Sequence, residues 1–118
     1  MKRDLDIVRA ILLSAEEEDN SRLEEFDDQV VGYHAKIMHE AGLIDAQLIE
    51  EYSGGMKKVR ECRIKSLTWD GHDYIDAMRD DNIWNKTKEL ITSNTTSWTF
   101  SILLEALKHE LKTRIGLP

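Results

Sequence analysis

Cysteine occurs once in this chain of 118 residues, at Cys62. No intramolecular disulfide can form, and no zinc cluster can be built on thiolates. No apolar run approaches the length of a membrane span. The opening Met1-Lys2-Arg3-Asp4-Leu5-Asp6 has acids where a signal peptide would carry its apolar segment. A cytoplasmic location is therefore expected. Glycine-rich phosphate loops are missing, and the one glycine pair, Gly54-Gly55, sits in a turn. No Ser, His and Asp set and no Cys and His pair has a spacing that suggests nucleophilic catalysis. The expectation is a non-enzymatic protein without cofactor.

What is present is ordinary for a globular domain. Apolar residues make up 41% and charged residues 33%, and the length suffices for one real core. The net charge of −7 argues against a simple nucleic-acid binder. Its distribution is uneven. Residues 1–53 carry a net of −9, whereas residues 54–92 and 93–118 each carry +1. Basic charge concentrates in Lys57, Lys58, Arg60, Arg63 and Lys65, opposed locally only by Glu61.

Taken in order, Asp4 to about Glu18 reads as a helix with Leu5, Val8, Ile11, Leu12 and Ala15 on one stripe. Leu23 to Asp28 offers a short turn at most. Gln29 to Glu40 is a second helix, stopped by Gly42. One stripe of it holds Val31, His34, Ala35 and Met38, and an adjacent one holds Val30, Tyr33 and Ile37. Leu43 to Tyr52 alternates in the manner of a half-buried strand. Ser53-Gly54-Gly55-Met56 is a hairpin loop, and Val59 to Leu67 returns with Cys62 and Ile64 inward and Arg63 and Lys65 outward. Thr68 is placed to cap the next helix, with Trp69, Ile75 and Met78 buried on one side. A further helix starts from a cap at Asp81 or Asn82 and runs to about Thr92, with Ile83, Trp84, Thr87, Leu90 and Ile91 as its stripe. After the polar stretch Ser93 to Ser97, Trp98 to Ile115 forms the last.

A helix followed by a β-hairpin with a basic limb is how a winged helix is put together. The expected fold is α+β and mainly helical. It comprises a winged helix-turn-helix-like domain over residues 1–92, with a β-hairpin wing, and a C-terminal helix over 93–118. The pieces His34-Ala35-Lys36-Ile37-Met38-His39-Glu40-Ala41-Gly42-Leu43-Ile44, Leu67-Thr68-Trp69-Asp70-Gly71-His72 and Arg79-Asp80-Asp81-Asn82-Ile83-Trp84 carry a resemblance. The pattern over about residues 1–90 resembles an uncharacterised bacterial and phage family, domain of unknown function 2513. The resemblance implies a winged-helix-like fold and a prophage or mobile-element context. It implies no activity and no catalytic residues.

Two candidate surfaces follow. If Val31, Ala35 and Met38 face the core, the second helix offers Gln29, Gly32, Tyr33, Lys36 and His39 to a DNA groove, against Asp27, Asp28 and Glu40, which would oppose phosphate. The wing offers Lys57, Lys58, Arg60, Arg63 and Lys65 to phosphates. The same lysines equally suit a solvated edge hairpin that resists edge-to-edge pairing. A protein-binding module that never touches DNA is the alternative to a DNA-associated regulatory accessory protein. The histidine pair His34 and His39 is five apart, off the spacing that puts two imidazoles on one helix face. Acids around His72 read as a solvated face, so no metal is expected. Trp69 and Trp84 read as core anchors. The last helix carries Trp98, Phe100, Leu103, Leu104, Leu107, Leu111 and Ile115 at near-heptad spacing, which suggests a homodimer seam. Packing on Val30, Tyr33 and Ile37 of its own chain is the other way to cover it.

Overall fold

Apolar spacing and side-chain caps account for each element of the computed structural model, which describes residues 3–94 and 97–116. Helix α1, Leu5–Glu17, begins where the Asp4 carboxylate accepts from the backbone N–H of Asp6 and Ile7. It buries Leu5, Ile7, Val8, Ile11, Leu12 and Leu13. It stops at Glu18, which takes a left-handed φ of 55°. A single 3₁₀ turn, Asn20–Leu23, follows on an Asp19 cap. Asp27 caps α2, Asp28–Glu40, which buries Val31, Gly32, His34, Ala35 and Met38.

His34 is wholly buried and still satisfied. Its Nε2 accepts from the Asp4 N–H at 2.7 Å, and its Nδ1–H donates to the Val30 carbonyl at 2.7 Å. Nε2 therefore fastens α2 to the start of α1, while Nδ1 is satisfied within α2.

β1, Ile44–Ser53, and β2, Met56–Leu67, form an antiparallel two-stranded hairpin turning through Gly54-Gly55. The expected turn at Ser53 to Met56 is present, with Ser53 opposite Met56. Two register shifts interrupt the ladder, one between Asp45 and Ala46 and one between Ile49 and Glu50. Each leaves an extra residue on β2, Lys65 and Arg60. The inward positions Val59, Cys62, Ile64 and Leu67 thereby stay in phase although their spacings are three, two and three.

α3, Trp69–Met78, is capped by Thr68, whose Oγ1 accepts from the Gly71 N–H at 3.1 Å. α4 is Asp81–Asn94 and α5 is Phe100–Arg114. The α4 cap is Asp80, one residue ahead of the expected Asp81 or Asn82, and its carboxylate accepts from the N–H of Asn82 and Ile83. The chain divides into two compact units, Met1–His72 and Asp73–Pro118. In the first, α1, α2 and the hairpin share a core. In the second, α5 packs along α4, and the Tyr74 hydroxyl donates to the Phe100 carbonyl at 2.9 Å. The fold is α+β and mostly helical, as the sequence implies.

One expectation fails. Trp69 is not a core anchor but is 87% exposed. It is the first residue of α3, and the buried side of that helix begins at Gly71, Tyr74 and Ile75. A stripe drawn through Trp69 is thus rotated away from the one that packs. Trp84 is buried as expected, at 1% exposure.

Asp80 and Glu50 set an acid limit to stability. The Ile83 N–H, burial-opposed and helped by Arg114, holds the Asp80 carboxyl below its ordinary range. The hydrogen bond from Lys36 does the same for Glu50. Both folded-state values are lowered, so their stabilisation is present above the ordinary carboxylate range and fades as pH falls through the lowered ones. The melting temperature should drop on that acid limb. Asp80→Asn, which keeps the cap but loses the charge, should shallow the drop, and an unchanged slope would sink this account.

Candidate functional site

The side of α2 expected to face a DNA groove lies against the protein's own hairpin. Gly32 is buried there, and a Cβ built on it would stand 3.1 Å from Cγ1 of Val59. Four residues on, Lys36 Nζ donates to the Glu50 carboxylate of β1 at 3.1 Å. The same carboxylate receives Lys57 Nζ at 3.6 Å. The Glu50 carboxylate accepting from Lys36 raises the lysine above its usual range, so it stays charged and held. His39 Nδ1 lies 3.2 Å from the Ile44 carbonyl. Three of the five residues offered to a groove, Gly32, Lys36 and His39, are therefore engaged by β1 or β2.

Of the other two, Gln29 is exposed and Tyr33 is half-buried, with its ring edge-on to His34 at 5.4 Å. Tyr33 shares its side of α2 with Val30 and Ile37, both half-buried. That side carries apolar surface where base reading needs donors and acceptors.

The basic limb is in the open. Lys57, Lys58, Arg60, Arg63 and Lys65 are all exposed. Lys57 leans on Glu50, and Lys58 sits directly opposite Glu51. Arg60, Arg63 and Lys65 have no ion pair among the described residues. Tyr52 and Met56 are exposed at the hairpin end.

A groove of about 380 Å³ runs between β2 and the wall made by the 3₁₀ turn and the first turns of α2. Its apolar lining includes Leu23, Val31, Val59, Cys62 and Ile64, and its polar rim includes Glu24, Asp28, Gln29, Arg60 and Glu61. Burial raises the Cys62 thiol above its ordinary range, which disfavours the thiolate. Sequence reading placed Cys62 and Ile64 correctly on the inner face but missed this groove. Its only advance signal was the pair of three-residue spacings in β2, which mark bulges.

In the second unit, the apolar stripe expected at a dimer seam is partly taken up. Leu103 and Leu107 are fully buried and Trp98 nearly so, with α4 as the packing partner of α5. Phe100, Leu104 and Leu111 are half-buried, and Ile115 is 61% exposed. The accessible part of the stripe is thus narrower than the sequence suggests. Among the described residues, no group of three or more His, Cys, Asp or Glu side chains is arranged to hold a metal ion, and no helix is long and apolar enough to cross a membrane.

Residues 2–97 match the family described as Hypothetical protein (DUF2513). The chain belongs to this family. It is also 34% identical to a protein of Haemophilus influenzae, strain Rd, described as an uncharacterized protein, over 98% of this chain and 97% of that one. No solved structure matches the chain. This family member therefore takes its functional reading from its own surfaces.

Proposed function

We propose that this DUF2513 protein is a non-enzymatic cytoplasmic module of winged-helix type, from a prophage or mobile element, that works by docking protein partners and reads no DNA bases. The observation that carries this is the engagement of Gly32, Lys36 and His39 by the hairpin. A recognition helix needs its N-terminal half free to enter the major groove. Here Gly32 in that half lies against Val59 of β2, and Val30 and Tyr33 present apolar surface on the other side.

A second reading, DNA association through the backbone alone, is favoured by exposed Arg60, Arg63 and Lys65. Phosphate contacts of that kind are weak, salt-sensitive and blind to sequence.

One experiment separates the readings. A pool of random-sequence duplexes is put through repeated rounds of binding to the full chain. The expected result is no enriched sequence. Any retention should vanish as salt rises and be abolished by the triple change Lys57→Glu, Lys58→Glu, Arg60→Glu. A defined, salt-resistant motif would overturn the docking reading.

A further inference from the structure

We propose that the free edge of β2 accepts an extended strand from a partner protein, with apolar side chains facing the α2 wall and acidic ones facing solvent. This deepens the protein-docking reading and rests on it.

Among the described residues the sheet has two strands only, so β2 has one edge with no described strand on it. Among the described residues its backbone makes no hydrogen bond to any backbone group outside the hairpin. Unpaired strand edges are templates for strand addition. The groove lies along this edge. Five β2 residues line it, Val59, Arg60, Glu61, Cys62 and Ile64, and none comes from β1. They include both inward and outward positions, which is the signature of a groove running beside a strand rather than across one face.

The floor is suited to alternate apolar side chains. Leu23, Val59, Cys62 and Ile64 are all half-exposed there. A strand from Val59 to Ile64 is about 20 Å long, so an added segment of five or six residues would fill it.

Charge selects the other face of the incoming strand. β2 carries Lys57, Lys58, Arg60, Arg63 and Lys65 against Glu61, whereas β1 carries Asp45, Glu50 and Glu51 and no base. The native register already uses this complementarity, setting Glu51 opposite Lys58. Lys57 is held by Glu50 on the α2 side, and a strand on the opposite edge meets Lys58, Arg60, Arg63 and Lys65 and is best matched by acids. Glu24 and Asp28 on the far wall disfavour acids on the inward side, which fixes the alternation. A second copy of β2 would bring like charges side by side, so pairing of two β2 edges is disfavoured.

The test uses the full chain, isotope-labelled for amide NMR. The probe is a nine-residue peptide alternating valine and glutamate. Controls are a valine–lysine peptide and a valine–glutamate peptide N-methylated along one edge. The glutamate peptide should shift amides of Val59 to Ile64 and of Gly32, and both controls should bind at least tenfold more weakly. The pair Arg60→Glu and Arg63→Glu, at exposed positions, should reverse the preference toward lysine. Equal binding of both charges, or no shift at millimolar peptide, overturns the proposal. Concentration-dependent shifts of the same amides without peptide would make a second copy the occupant and overturn it too. Shifts confined to Val30, Tyr33 and Ile37 overturn the strand site but leave the docking reading standing. That reading fails separately, by an enriched DNA sequence.

Discussion

Trp84→Ala should destabilise the protein by about 3–5 kcal/mol, whereas Trp69→Ala should stay within roughly 0.5 kcal/mol of the parent. The residue type is the same, and burial decides. Trp84 is 1% exposed in α4 and shares its buried side with Ile83, Thr87 and Ile91. Thr87 spends its hydroxyl on the Ile83 carbonyl at 2.7 Å. Lys88 Nζ stands 5.8 Å from the Trp84 ring centroid and would lose that contact as well. Removing a buried indole there leaves a cavity. Trp69 has nothing over it but the ring edge of His72 at 6.2 Å. Urea denaturation of the two variants checks this, since total domain stabilities of about 5–15 kcal/mol make the first loss plain. A Trp69→Ala loss as large as that of Trp84→Ala would mean that α3 is rotated from the placement described.

Local chemistry explains what could be read in advance. The glycine pair between two alternating runs fixed the hairpin turn, because both residues must take positive φ, and they do at 59° and 79°. Thr68 announced a cap, and it is one. The helix stripes were legible wherever apolar residues recur at three and four. Trp69 defeats the stripe because it is a large apolar residue at a helix start, two residues ahead of the side that packs. The α4 cap slipped by one because Asp80, Asp81 and Asn82 are all good caps, and only the backbone geometry selects among them.

The candidate surfaces were harder to read, and for a different reason. Which side of α2 is open depends on where the hairpin lands, and that is a tertiary fact. The sequence showed Lys36 as a cation available for contact. It could not show that Glu50, fourteen residues on, would bind it. Gly32 was legible as a residue without a side chain, but not as the place where Val59 comes to rest. For α5, heptad-like spacing suits a second chain and cannot show that Leu103 and Leu107 are taken up beside α4.

Gly71→Ala should destabilise by about 3 kcal/mol, against what helix propensity alone predicts. Gly71 lies in the first turn of α3 and has no left-handed φ. Alanine is favoured over glycine in a helix by about 0.5–1 kcal/mol, so propensity says the change should help. Packing says otherwise. A Cβ at Gly71 would collide with the Leu43 carbonyl oxygen and stand 3.1 Å from Leu67 Cδ2. That oxygen is not free to move. It accepts from the Thr68 N–H at 3.2 Å, while the Thr68 hydroxyl donates to the Gly42 carbonyl at 2.5 Å. These two hydrogen bonds tie the end of β2 to the turn after α2. Forcing them apart adds overpacking of about 1–3 kcal/mol to the loss of a hydrogen bond worth about 1 kcal/mol. The sum exceeds the propensity gain. Gly32→Ala is the control, because its added Cβ makes only a tight contact with the Val59 side chain at 3.1 Å and meets no backbone. Gly71→Ala should therefore lower the melting temperature by several degrees more than Gly32→Ala and should speed hydrogen exchange at the Thr68 amide. A Gly71→Ala protein as stable as the parent would show that α3 does not approach the Leu43 carbonyl. The base of the hairpin, and with it the groove beside β2, would then need another anchor.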